Sequence, residues 1–212
     1  MPRKTYKGKD IDVSFDGDLC IHARECVTGL PGVFEANASG PWIHPDAASV
    51  ERIVAVAYAC PSGAVGYHRK DGVADETPPE INTVRVKENG PLAIHADLML
   101  EGESIGCRAT LCRCGASRNK PYCDGSHGAA GFSASGEPPS KGLETLDCRG
   151  GPLDVRPVKN GPLLVNGPLE IMAGAGRAID RTMTTALCRC GASQNKPYCD
   201  GSHTEVDFNS DQ

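Results

Sequence analysis

The alternation of apolar and polar residues divides the chain into short elements. Ile11, Val13 and Phe15 alternate with Asp12, Ser14 and Asp16, the two-residue period of a half-buried strand, and Asp16-Gly17-Asp18 turns the chain after it. From His44-Pro45-Asp46, which has helix-start chemistry, Val50, Ile53, Val54, Ala57 and Tyr58 recur at helical spacing and predict an amphipathic helix over residues 46–59. Cys60-Pro61 ends it, because proline cannot supply the amide that a further turn needs. Residues 64–68 read as a short strand and 69–72 as a turn. The basic residues 1–10 read as a frayed start. Residues 71–82 (DGVADETPPEIN) are acidic and proline-containing with little to bury, and they mark a domain boundary.

Beyond residue 83 the pattern repeats. Val86-Lys87-Glu88-Asn89-Gly90-Pro91-Leu92 returns as Val158-Lys159-Asn160-Gly161-Pro162-Leu163, each followed by an apolar, strand-like run over 92–100 and 163–172. A cysteine motif follows each run: residues 111–127 read LCRCGASRNKPYCDGSH and residues 187–203 read LCRCGASQNKPYCDGSH, differing only in Arg118 against Gln194. The motifs recur after 76 residues but the Asn-Gly-Pro turns after only 71, which implies an insertion of about five residues in the second copy near 173–180. Glycine- and proline-rich chain over 131–151 joins the copies. Two β-rich units, each too small for a core of its own, are expected to pack as a pseudo-symmetric pair.

Each motif offers three thiolates and one imidazole, Cys112, Cys114, Cys123 and His127 or Cys188, Cys190, Cys199 and His203. Four such ligands suit zinc or an iron–sulfur cluster. Structural zinc favours pairs of C-x2-4-C knuckles, whereas C-x-C followed by a distant Cys/His pair suits two irons with two ligands each. Lys120-Pro121-Tyr122 predicts an extended approach to Cys123, and Asp124 an N-cap for a short helix through Gly125, Ser126 and His127.

Composition agrees with metal-stapled units. Hydrophobic content of 39% with 5% aromatic is thin for one continuous core, and 25 glycines and 16 prolines indicate many turns. The eleven cysteines are odd in number, and MPRKTYKGKD does not resemble a signal peptide, so metal ligation is expected rather than disulfides. The longest apolar run, 53–60, is too short to cross a bilayer, so a soluble, cytoplasmic protein without a membrane partner is expected. A net charge of −5 argues against nucleic acid.

The signature C-x-C-x2-S-x3-P-x-C-D-G-S-H resembles that of the CDGSH iron–sulfur family, the group that includes mitoNEET. Both copies match it at Cys112, Cys114, Ser117, Pro121 and Cys123 to His127, and at Cys188, Cys190, Ser193, Pro197 and Cys199 to His203. The resemblance covers roughly residues 80–212 and implies one 2Fe–2S cluster per motif, held by three cysteines and a histidine. It also implies a small β-rich unit that pairs with a second. This chain carries both units in tandem, like the soluble tandem members. A neutral imidazole in place of a thiolate should raise the reduction potential and make cluster retention acid-sensitive.

A third constellation precedes these. Cys20 and Cys26, then the helix, then Cys60-Pro61 give C-x5-C…C-P, the bacterial ferredoxin pattern with its middle cysteine replaced by Ala23. Residues 11–67 resemble three-cysteine ferredoxins, and more closely the divergent 4Fe–4S mono-cluster domains. Three thiolates suit a 3Fe–4S cluster, or a 4Fe–4S cluster with a non-cysteine fourth ligand. His22 is the nearest candidate, although a surface loop histidine explains it as well. Ordinary buried thiols are the plain alternative for the trio.

Cys107 and Cys148 lie outside every motif and read as buried thiols, Trp42 as core, and His44, His68 and His95 as local packing. The chain shows no catalytic triad, phosphate loop or paired catalytic carboxylates, so no enzyme is expected. The fold expected is α+β: a ferredoxin-like domain over 1–78, then CDGSH units over 79–140 and 141–212 packed as an intramolecular pseudo-dimer. The function expected is one-electron transfer with redox protein partners, in a monomer with internal pseudo-two-fold symmetry. Cluster storage or transfer to apo-acceptor proteins, or redox/pH sensing, is the alternative. A zinc-stabilised interaction module is the third reading.

Overall fold

A computed structural model describes residues 3–211, which form two compact units divided between Thr77 and Pro78. The chain is mostly β with few helices. In the first unit, β1 (Lys4–Tyr6), β2 (Ile11–Phe15) and β3 (Val65–Arg69) form an antiparallel sheet in that order, with Val13 opposite Tyr67. The start read as frayed therefore contains a strand, fixed because Lys4, Thr5 and Tyr6 pair with Phe15, Ser14 and Val13. Between the strands lie α1 (Glu25–Gly29), a 3-10 turn (Pro45–Ala47) and α2 (Val50–Ala59). The helix expected from residue 46 thus begins at Val50, after the separate turn.

Ile53 and Ala57, four apart and on one face, are the fully buried residues of α2. They meet Ile11, Val13, Phe34, Ile43 and Val65 in one core. Burying a side chain such as Ile53 is worth about 1.5–3 kcal/mol. Trp42 is half-buried and sets an edge-on contact with Phe15 at 4.8 Å. Tyr58, expected on the apolar stripe, is exposed and donates its hydroxyl to the Thr77 carbonyl at 3.1 Å.

The second unit contains β4 (Thr83–Val86), β5 (Leu92–Leu100), β6 (Glu103–Leu111), α3 (Ser126–Ala129), β7 (Pro152–Pro157), β8 (Leu163–Met172) and β9 (Ala178–Leu187). β4 pairs antiparallel with the Leu92–His95 part of β5 and parallel with Glu170–Met172 of β8. β7 mirrors this, antiparallel with Leu163–Asn166 of β8 and parallel with Asp97–Leu100 of β5. The two short strands therefore lie end to end between the two long ones, and β6 and β9 pair with β5 and β8. Each copy lends a strand to the other, so the repeats share a single core that includes Val84, Leu98, Leu153 and Leu169.

The repeated Asn-Gly-Pro turns are alike: Asn89 and Asn160 hold positive φ, and Gly90 and Gly161 donate back to Lys87 and Val158. The second copy's extra residues lie in the β8–β9 hairpin, whose ten-residue strands flank residues 173–177, against nine-residue strands flanking 101–102 in the first. Asn82, assigned by sequence to a segment with little to bury, is fully buried. Its amide donates to the Gly151 and Pro168 carbonyls and its Oδ1 accepts from the Asp97 N–H, where β4 and β7 meet.

Candidate metal centres

In each copy the edge strand runs directly into the first motif cysteine. The returning loop is pinned beside it: Cys112 N–H donates to Pro121 O at 2.8 Å and Cys123 N–H to Thr110 O at 2.9 Å. The same bonds recur as Cys188 to Pro197 and Cys199 to Ala186, both at 2.8 Å. Ser117 and Ser193, both buried, tie the loop internally, donating to Tyr122 O and Tyr198 O and accepting from the Asn119 and Asn195 N–H groups. Both Lys-Pro peptides are cis.

These loops present their donors as two pairs. The Cys112 and Cys114 sulfurs lie 3.8 Å apart, and Cys188 and Cys190 3.7 Å. In both copies the remaining cysteine lies 3.4 Å from the histidine Nδ1, Cys123 to His127 and Cys199 to His203. Among the described residues, no three His, Cys, Asp or Glu side chains converge as a site for one metal ion. Backbone N–H groups of Ala116, Gly125 and Ala192 approach the sulfurs of Cys114, Cys123 and Cys190 at 3.4 Å each.

Within each C-x-C pair the shared hydrogen bond makes one sulfur acidic at the other's expense. Bonding to Cys114 and surrounding backbone N–H groups bring Cys112 down to about 6, and bonding to Cys188 does the same for Cys190. Burial pushes Cys123 up to about 11, against the Gly125 N–H. Burial also pulls His127 down, with Asp124 opposing and Arg113 assisting. Asp124 is not the helix cap expected: Gly125, with φ 87°, precedes the single turn of α3, and residues 201–207 of the second copy form turns. Asp124 instead accepts the Arg118 and Ser126 N–H groups, which outweigh its desolvation and hold it at about 2.

Two residues inside the motifs escaped sequence reasoning. Arg113 and Arg189 point inward and are 1% and 3% exposed. Arg113 donates to the carbonyls of Gly90, Lys87, Ala134 and Ser135, and Arg189 to those of Gly161 and Val158. Each guanidinium stacks near a phenylalanine, Phe132 at 5.2 Å and Phe208 at 5.4 Å. Desolvation brings Arg113 down to about 10, opposed first by the nearby Cys188.

In the first unit, Cys20, Cys26 and Cys60 line one cleft with Ala23, Pro61 and Ser62. Burial raises the Cys20 and Cys26 thiols, against the His22 and Val27 N–H groups, and proximity of Cys60 adds to the rise. His22 lies with Cys20, Cys26 and Trp42 around an adjoining cavity of about 310 Å³. Cys107 is buried as expected, but Cys148 is exposed, its thiol donating to Gly150 O at 3.0 Å within the chain that joins the two copies. His44 pairs with Glu35 at 3.4 Å, His68 with Asp75 at 2.9 Å, and His95 lies in β5.

Residues 89–128 and 160–204 match the family described as the iron-binding zinc finger of CDGSH type. CDGSH iron-sulfur domain-containing protein 1 of Mus musculus is 31% identical over 83 residues, covering 38% of this chain and 74% of that protein. The chain belongs to the CDGSH iron–sulfur family. The corresponding protein of Bos taurus is 34% identical over 80 residues, covering 37% of this CDGSH chain and 73% of the relative. Residues 6–70 match the divergent 4Fe-4S mono-cluster family. There, the uncharacterized protein YjdI of Escherichia coli K12 is 40% identical over 67 residues, covering 32% of the chain and 87% of that protein. This CDGSH protein therefore carries a divergent 4Fe-4S domain ahead of two CDGSH regions. Among its described residues, no helix is long and apolar enough to cross a membrane.

Proposed function

We propose that this protein is a multi-cluster one-electron carrier. Cys112 and Cys114 would hold one iron of a 2Fe–2S cluster and Cys123 and His127 the other, with Cys188, Cys190, Cys199 and His203 repeating the arrangement. Cys20, Cys26 and Cys60 would hold a 3Fe–4S or 4Fe–4S cluster. The observation that carries this reading is the division of each CDGSH donor set into two close pairs. The clusters supply one-electron carriers. The polypeptide orders the sulfurs, directs N–H groups at them and keeps much of their surface from water. The interleaved β4, β5, β7 and β8 support an intramolecular pseudo-dimer, with residues 79–140 and 141–212 as its units and 1–78 as the ferredoxin-like domain. Such a protein would work as a monomer in the cytoplasm, exchanging electrons with redox proteins. Reversible reduction of all clusters by a reductase or small one-electron donor is the expected result. Protein whose visible absorption does not bleach on reduction would refute it.

A second reading, cluster delivery or sensing, is favoured by the partial exposure of His127 and His203, where Cys112 and Cys188 are buried. Protonated imidazole cannot ligate, so acid should release clusters at these positions. His127→Cys with His203→Cys is expected to slow loss of visible absorption at about pH 6. Equal rates in the two proteins would remove this reading.

A further inference from the structure

The two CDGSH loops touch each other through a reciprocal backbone contact. Gly115 and Gly191 follow the second cysteine of each motif and hold φ of 82° and 83°. A Cβ on Gly115 would lie 2.6 Å from the Cys190 carbonyl oxygen, and one on Gly191 would lie 2.5 Å from that of Cys114. Both approaches are closer than any side chain tolerates, and both meet backbone, which cannot rotate away. The motif arginines are also crossed between copies: Arg113 lies within electrostatic range of Cys188, and Arg189 of Cys112.

The loops are nevertheless unequal in charge. Arg118 and Gln194 occupy matched positions, with their N–H groups donating to Asp124 Oδ2 at 2.9 Å and Asp200 Oδ2 at 2.7 Å, and both side chains are exposed. Copy two also has Asp180 accepting from the Tyr198 hydroxyl, but Lys141 lies 3.2 Å over that ring and offsets the carboxylate. Arg118 thus adds a positive charge beside the first site that Gln194 does not add beside the second, and copy two carries Glu205 and Asp207 after its histidine where copy one has Ala129 and Gly131. Glu88 lies near Arg113 in copy one, as Asp211 and Glu101 lie near Arg189 in copy two.

We propose that the two CDGSH sites form one contacting, unequal redox pair, in which the Arg118 copy is reduced first and the Gln194 copy carries the more strongly reducing electron. The inference rests on the cluster reading above. Reduction adds one negative charge, which a neighbouring cation favours and a reduced neighbour across the contact disfavours. Internal exchange is balanced: one electron leaves the reduced second site and enters the oxidised first site, and no other atom changes hands. Net electrons come from the one-electron donor proteins already proposed. Gly115 and Gly191 are positioning residues, keeping the two loops at contact distance.

The test is a redox titration of the full chain followed by electron paramagnetic resonance, on wild type and on Arg118→Gln, Gln194→Arg and Gly115→Ala. Iron and sulfide are assayed first on each. Protein without its clusters would overturn the cluster reading itself, and this inference with it. With clusters present, Arg118→Gln should lower the higher CDGSH midpoint about threefold in reduction constant, roughly 28 mV at 59 mV per decade, and leave the lower one in place. Gln194→Arg should raise the lower midpoint by the same factor. The fully reduced spectrum should show spin–spin broadening that Gly115→Ala weakens. Both charge variants are at exposed positions, so they carry the test even where Gly115→Ala does not fold. Arg118→Gln moving the lower midpoint or neither, or a reduced wild-type spectrum equal to two isolated signals, would overturn the proposal.

Discussion

Replacing Arg113 by methionine keeps most of the aliphatic stem and removes the guanidinium, so the cost reports the carbonyls it serves. Of its four acceptors, Lys87 O also accepts from Gly90 N–H and Ala134 O from Asn89 N–H, whereas no second donor to Gly90 O or Ser135 O was found among the described residues. For Arg189, Val158 O keeps the Gly161 N–H, and Gly161 O is the carbonyl left bare. At about 1.5–3 kcal/mol for a charged hydrogen bond to a buried carbonyl left bare, and less for the carbonyl of exposed Ser135, Arg113→Met should cost about 3–4 kcal/mol and Arg189→Met about 2 kcal/mol. The difference, about 1–2 kcal/mol, corresponds to roughly five- to thirtyfold in the unfolding equilibrium. Urea unfolding followed by far-ultraviolet circular dichroism measures it, with an unchanged m-value showing that the same surface unfolds. Equal costs for the two substitutions, or less than about 1 kcal/mol for Arg113→Met, would refute the reasoning.

Glu170 is buried and accepts from Arg149 at 2.7 Å and Arg181 at 2.8 Å. Burial alone would raise its pKa, but the hydrogen bonds from Arg181 and Arg149 outweigh it and hold the carboxyl below its usual value. Its contribution is therefore present above about pH 4.3 and is lost as pH falls through the lower folded value. Glu170→Gln should destabilise by about 2 kcal/mol at neutral pH, with the difference from wild type closing in acid; a gap that widens on acidification would contradict the sign. Ser117→Ala and Ser193→Ala each leave a tyrosine carbonyl and an asparagine N–H without the serine hydroxyl, and should cost about 1–3 kcal/mol apiece in thermal melts. A loss confined to one copy would show that the matched loops are not equivalent.

The cysteine motifs were legible because their candidate ligands lie within 16 residues of one another, and short stretches of chain set Cys112 beside Cys114 and Cys123 beside His127. The repeated turns and the extra residues in the second hairpin were legible for the same reason. What escaped depends on distant chain. No local pattern separates an arginine in C-R-C that faces water from one that collects carbonyls 21–26 residues earlier or later, as Arg113 does. The exchange of β4 and β7 between long strands is likewise invisible in a turn that specifies only the β4–β5 neighbour. Asn82 lies in an acidic, proline-containing stretch and looks like linker, yet it satisfies backbone groups at the junction of the two copies.

Iron, acid-labile sulfide and zinc per chain, measured on anaerobically purified protein, test the central claim most directly. Two binuclear clusters and one three-iron cluster predict roughly seven irons and eight sulfides, and a four-iron cluster raises the iron to about eight. About four of each would leave the two CDGSH sites filled and refute the cluster assigned to Cys20, Cys26 and Cys60. Zinc without sulfide would contradict the account as a whole.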